Sequence, residues 1–279
     1  MNRRHSRGLF GLAAAALAAT LAVLGAVAIP ATASEPTAVS PASRGAAKPT
    51  IVLVHGAFAD SSGWNLVAPA LQAEGYPVLA FSNPLRGIAY DSQYLRDFLG
   101  TIEGPIVLVG HSYGGALITN AATGDPDVKS LVYIAAYALD EGESVAAANS
   151  LGGGHTEVTE NLVIRPFPGA TNGDADAYID PEAFPRLFAQ DLPRVVAKTM
   201  AASQRPGSYA SLVTPSGPPA WKTIPSWYLV AKQDRIIPPE AERVMAARAG
   251  ATTVEVNTSH VPMLSKPQSV ISLIRKASK

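Results

Sequence analysis

Ile106-Val107-Leu108-Val109-Gly110-His111-Ser112-Tyr113-Gly114-Gly115 is a short apolar run that breaks into a glycine-flanked serine. The residues that follow, Tyr113 to Ala122, have helical character. Strand, sharp turn and helix are the context in which the G-x-S-x-G pattern makes a nucleophile elbow. The steric logic is direct. A turn this tight forces the serine into a strained backbone conformation, and small neighbours at 110 and 114 let adjacent chain approach. The helix start beyond Ser112 offers backbone N–H groups to a developing anion.

Outward from this stretch, further short apolar runs predict strands at Ile51–Val54, Val78–Phe81, Leu131–Ala135, Trp227–Ala231 and Thr253–Val256. Each is apolar on successive residues, as strands buried on both faces are. Helices are predicted between them at Gly63–Glu74, Asp91–Leu99, Tyr113–Ala122, Pro239–Ala249 and Pro267–Lys276. The alternation predicts an α/β fold with right-handed crossovers. Asp140 to Pro225 breaks the rhythm: it shows no clear buried strand, is rich in Gly and Pro, and holds helix-like pieces at Pro181–Gln190 and Leu192–Ser203. So long an interval between core strands reads as a lid or binding insertion.

A serine hydroxyl needs a base, and the base an orienting acid. For this elbow the chain order is Ser, then Asp or Glu, then His. Downstream of Ser112 stand only His155, in a Gly-rich segment that reads as surface, and His260, directly after the last strand. His260 is the candidate base. Asp234, at the end of Trp227–Ala231, is the favoured acid because Pro238-Pro239 starts a helix and fixes its loop. Asp140, past the preceding strand, is the competitor. The oxyanion donors expected are the N–H of Tyr113 and one from the loop after the first strand, Ala57 first and Phe58 next. His55 and His111 flank glycines in turns and read as packing or hydrogen-bonding residues. For the substrate pocket the candidates are Phe58, Phe184, Phe188 and Val261. Phe184 and Phe188, four apart on one helix face, are expected to limit acyl length.

Composition narrows the function further. The chain has 279 residues, 22 Lys+Arg against 22 Asp+Glu, and no cysteine. Disulfides, thiolate metal sites and a cysteine nucleophile are excluded. Balanced charge argues against a nucleic-acid partner. The five histidines are dispersed without helical i, i+4 partners, so no metal is expected. Neither a dinucleotide fingerprint nor a phosphate loop appears, so no cofactor is expected.

At the N-terminus, Arg3, Arg4 and Arg7 precede an uncharged Ala/Leu-rich run from Leu9 to Ile29, then Pro30 and Ala31-Thr32-Ala33. A basic start, an apolar run and an A-x-A site predict a secretory signal cleaved after Ala33. The competing reading is an uncleaved anchor, since about 20 apolar residues span a bilayer. Cleavage leaves 19 basic against 22 acidic residues, and a secreted chain without stable membrane association. Residues 34–49, rich in Pro, Ala, Ser and Thr, read as a spacer, and one domain occupies 50–279.

Val-His-Gly-Ala-Phe at 54–58, Gly-His-Ser-Tyr-Gly-Gly at 110–115, Asp234 and Ser259-His260 together resemble the α/β-hydrolase superfamily from about Thr50 to the C-terminus. The likeness is to small esterase-like members, including plant methylesterases and hydroxynitrile lyases. It implies a three-layer fold with a mostly parallel sheet. One departure is that the superfamily often starts with two extra strands, whereas the first strand here begins almost at the expected mature N-terminus, so a trimmed sheet of about six strands is expected. It also implies a triad of Ser112, Asp234 and His260, with the insertion at about 140–225 as a cap. The expected activity is hydrolysis of small carboxylic esters or lactones through an acyl-enzyme. The same residues support three other readings: cyanohydrin cleavage, cofactor-free perhydrolysis, and a ligand-binding receptor with vestigial turnover.

Overall fold

The computed structural model describes residues 48–279. The expected signal, its cleavage after Ala33 and almost all of the spacer lie outside the described residues. Six strands form one sheet: β1 Thr50–Val54, β2 Val78–Phe81, β3 Ile106–Ser112, β4 Val128–Ala136, β8 Ser226–Ala231 and β9 Thr252–Val256, in the order β2-β1-β3-β4-β8-β9. Every pairing in it is parallel. The central strand β3 is buried at every position, whereas the edge strand β9 is exposed or half-buried throughout. Continuous Val, Ile and Leu runs belong where both sheet faces are covered.

The covering helices include α1 Ala68–Ala73, α2 Ile88–Leu99, α3 Tyr113–Ala121, α7 Pro239–Arg248 and α8 Pro267–Ala277. Two differ from expectation. The predicted helix Gly63–Glu74 is split into a 3₁₀ turn at Ser61–Trp64 and the shorter α1. Pro69 has no N–H and is tolerated only in a first turn, which forces the break. Helix α2 starts three residues before Asp91. The buried Asp91 carboxylate turns back to accept the amides of Arg86 (3.0 Å) and Gly87 (3.2 Å), so it serves the helix start from inside the first turn.

Between β4 and β8 the interval from 140 to 225 carries a second sheet that the sequence pattern concealed. Strands β5 Leu162–Arg165, β6 Asp176–Ile179 and β7 Gly207–Ser208 pair antiparallel in the order β5-β6-β7. β5 and β7 are only half-buried or two residues long, and β6 alternates, so none gives a continuous apolar run. This interval also holds α4 Val145–Ala148, α5 Phe184–Leu187 and α6 Arg194–Ala202. The expected helix Pro181–Gln190 is cut to the single turn of α5. Asp180 accepts the amides of Glu182 and Phe184, which spends the first residues on a turn.

The sheet order contains one reversal. The chain goes from β1 out to β2, then crosses back to β3 on the other side of β1. The carboxyl ends of β1 and β3 therefore flank a switch point, where connections diverge and leave a crevice. The loop 55–58 and Ser112 both sit at that point.

Candidate active site

Ser112 ends β3 with φ 53° and ψ −125°, a conformation few residues other than glycine adopt. Strain of this kind costs about 1–3 kcal/mol and persists only where its surroundings enforce it. Here the carbonyl of Ser112 accepts the amide of Tyr137 at 3.1 Å, continuing the β3–β4 ladder through the turn. A Cβ on Gly114 would lie 2.5 Å from the Val54 carbonyl oxygen. A Cβ on Gly56 would lie 2.5 Å from Cβ and 3.1 Å from Oγ of Ser112. The two glycines let the elbow and the loop after β1 interlock.

That loop is pinned by His55. Its Nε2 accepts the Asn83 amide at 3.0 Å, so Nδ1 carries the proton and donates to the Gly56 carbonyl at 2.9 Å. Burial lowers its pKa to about 4, which keeps the ring neutral. Phe58, at φ 61°, completes the turn. Tyr113 opens α3, so its amide has no acceptor within the helix. Its hydroxyl donates to Asp91 at 3.0 Å, which ties the elbow to α2.

His260 follows β9 and is fully buried. Its Nδ1 lies 2.5 Å from Oδ2 of Asp234, while its Nε2 is buried and makes no hydrogen bond among the described residues. Asp234 Oδ1 accepts the amides of Ile236 (2.7 Å) and Ile237 (3.0 Å), in the turn before Pro238. The imidazole is wedged between two rings: Phe188 meets it edge-on at 4.8 Å, and His111 lies tilted at 4.7 Å. His111 Nε2 donates to the His260 carbonyl at 2.8 Å. Behind the loop, Asp191 accepts the Ser259 amide (2.8 Å) and the Thr258 hydroxyl (3.0 Å).

Asp140 is elsewhere. Its half-exposed carboxylate pairs with Lys222 at 2.8 Å, and that ammonium holds it below the usual carboxylate range. His155 is exposed.

A cavity of about 140 Å³ reaches Ser112. Ala57, Phe58 and Tyr113 line it with Ser112 on the sheet side. Tyr137, Val145, Asn149, Ala177, Tyr209 and Leu212 are among the residues that close it from the segments after β4. Among the described residues, no Asp, Glu, Lys or Arg is in its walls. Of the pocket residues expected from sequence, Phe58 lines this cavity, and Phe184, Phe188 and Val261 do not. The two phenylalanines are fully buried and stack on each other at 4.6 Å, and Phe188 backs onto His260. Helical spacing correctly put them on one face, but that face packs against the histidine and leaves the cavity to other segments. The actual walls come from Tyr137 just past β4, from α4 and from the segment after β7. Nothing in their local pattern marks them, because they converge only through the antiparallel sheet.

A parallel sheet with a strained serine at its switch point, backed by a buried Asp–His pair, defines an alpha/beta hydrolase. The chain belongs to that family, whose model matches residues 51–273. Its relatives lie in an esterase-like branch. It is 26% identical over 254 residues to methylesterase 17 of Arabidopsis thaliana, covering 82% of this chain and 91% of the other. It is 28% identical over 257 residues to the alpha/beta hydrolase nvfD of Aspergillus novofumigatus, covering 83% and 97%. The solved structure of polyneuridine aldehyde esterase shares the fold, with a TM-score of 0.72 at 20% identity over 83% of this chain and 100% of that one.

Proposed function

We propose that this carboxylic ester hydrolase works through an acyl-enzyme on Ser112, with His260 as general base and Asp234 as orienting acid. The observation that carries the reading is the state of the His260 ring. Nδ1 is committed to Asp234, and the buried Nε2 is left as a lone pair without a partner. Nε2 takes the Ser112 proton as Oγ attacks the ester carbonyl. The displaced electron pair collects on the carbonyl oxygen, and the donors assigned to it are the amides of Tyr113 and Ala57, with Phe58 next. Collapse of the intermediate breaks the ester C–O bond, and His260 returns the proton to the leaving alcohol. Water then repeats the sequence on the acyl-enzyme, releasing the acid and restoring Ser112.

The cavity supports a neutral, apolar substrate. Its uncharged walls offer nothing to offset desolvation of a charged group. An engineered apolar cavity of about 150 Å³ holds benzene, so one substituent of roughly that size fits above Ser112. Lactones fit the same chemistry. Cyanohydrin cleavage is less favoured, because it expels cyanide and no cationic Lys or Arg stands in the wall to receive it.

The test is covalent labelling. A fluorophosphonate should add to the native chain at Ser112 and leave Ser112→Ala unmodified, and that variant should fold normally and lose turnover of p-nitrophenyl acetate. Unchanged turnover in Ser112→Ala would end this reading. Export with cleavage after Ala33 is proposed from the basic and apolar N-terminus. Mass spectrometry of secreted protein should find Ser34 first, and an intact Met1 in a membrane fraction would refute it.

A further inference from the structure

Helix α7 turns Ala241, Glu242, Met245 and Ala246 toward the protein interior. Glu242 is a carboxyl group on an otherwise apolar face, and it is completely buried. Its Oε2 accepts the Ala231 amide at 3.1 Å, at the end of β8 and three residues before Asp234. Its Oε1 is buried and, among the described residues, has no N–H or O–H to accept from. Ala231, whose amide Glu242 holds, accepts the Asp234 amide on its own carbonyl at 3.1 Å, so one residue ties Glu242 to the turn that carries the Asp234 carboxyl.

Among the described residues no cation pairs with this group. The next residue, Arg243, is engaged by Glu255 at 2.8 and 2.9 Å on the exposed side of the helix. Arg248 is committed to Glu143 and the Ala138 carbonyl. The phenols nearby are also spent: Tyr228 donates to the Ala136 carbonyl and Tyr137 to Asn149.

Two adjoining buried carboxyl groups cannot both ionise, so one proton must be shared between them. The donors decide where it stays. Asp234 receives two backbone N–H groups and the His260 ring, all of which favour a carboxylate. Glu242 receives one backbone N–H. Burial, with the Asp234 charge next, pushes the Glu242 carboxyl well above the usual range.

We propose that Glu242 is a neutral carboxylic acid at working pH that donates from Oε1 to the Asp234 carboxylate, and is thus a positioning residue for the Asp234–His260 pair. This rests on the reading that the pair serves Ser112. The Glu242 hydrogen bond fixes the plane of the Asp234 carboxylate, holding Oδ2 on His260. It also tempers how strongly Asp234 attracts the imidazole proton.

Infrared difference spectra of the native chain and Glu242→Gln test the protonation without using turnover. A protonated-carboxyl C=O stretch should be present in the native protein at neutral pH and missing from the variant. In kinetics, Glu242→Met removes donor and acceptor at similar volume. It should lower kcat about tenfold with KM little changed, and move the acid limb of kcat/KM to higher pH. Glu242→Gln, which keeps an N–H donor and a C=O acceptor, should restore the rate with the native acid limb. No carboxyl band lost in Glu242→Gln, or an acid limb moved to lower pH in that variant, would show an ionised Glu242 and overturn the proposal. A native rate in Glu242→Met would overturn the positioning role. If Glu242→Met fails to fold, the spectra and the Glu242→Gln profile still decide. Failure of the Ser112 mechanism would instead appear in phosphonate labelling of the native chain and of Ser112→Ala, in both of which Glu242 is intact.

Discussion

The ring of Phe188 stands edge-on to the ring of His260, with centroids 4.8 Å apart and planes at 74°. An aromatic residue from the insertion therefore packs against the ring of His260, the proposed base, and does not line the cavity. Phe188→Leu should loosen the imidazole and lower kcat for every acyl length by a similar factor. A kcat/KM series from acetate to octanoate checks this, and a change confined to long chains would return Phe188 to the pocket wall. Leucine is the useful substitution because truncation to Ala in a full core costs about 3–5 kcal/mol and risks unfolding.

Asp234 and Asp140 give opposite expectations for one chemical change. Asp234→Asn leaves His260 with the wrong tautomer and should cut kcat by about 10⁴-fold. Asp140→Asn only loosens a half-exposed pair with Lys222, a type worth about 0–1 kcal/mol. Its kcat should stay within twofold of native by order of magnitude. Steady-state rates on p-nitrophenyl acetate separate the two.

Substrate size should respond to Leu212. It lines the cavity from the segment after β7 and is only half-buried, so its truncation costs little stability. Leu212→Ala should raise kcat/KM for bulky acyl esters relative to acetate. An unchanged ratio across the series would place the size limit on another wall.

Acid sensitivity should trace in part to His55. Its folded pKa, about 4, lies below the ordinary value of 6.5. Between those values the unfolded chain binds the extra proton, so stability rises with pH across this window and levels off above it. The full effect is on the order of 3 kcal/mol. Urea unfolding from pH 4 to 7 should show a flatter stability profile for His55→Gln than for the native protein. Equal slopes would assign the acid loss to other groups.

Much of this molecule is legible in one dimension because its decisive features are local. A continuous Val/Ile/Leu run such as Ile106–Val109 can be satisfied only by burial on both faces, and at Gly110 and Gly114 around Ser112 an added Cβ would come under 3 Å from nearby backbone. Ser112, Asp234 and His260 all stand at strand ends, where turn residues announce them. The short strands β5 to β7 are not legible in the sequence, because a half-buried or two-residue strand has almost no period of its own. Tertiary packing decided which insertion residues face the cavity. Phe184 and Phe188 share a helical face under either outcome, and only the path of the chain around them turns that face to His260. It also decided the protonation of Glu242. One of the two glutamates in the α7 pattern says nothing about its charge until the fold buries it near Asp234, because the cost of ionisation depends on neighbours from other elements and not on neighbours in sequence.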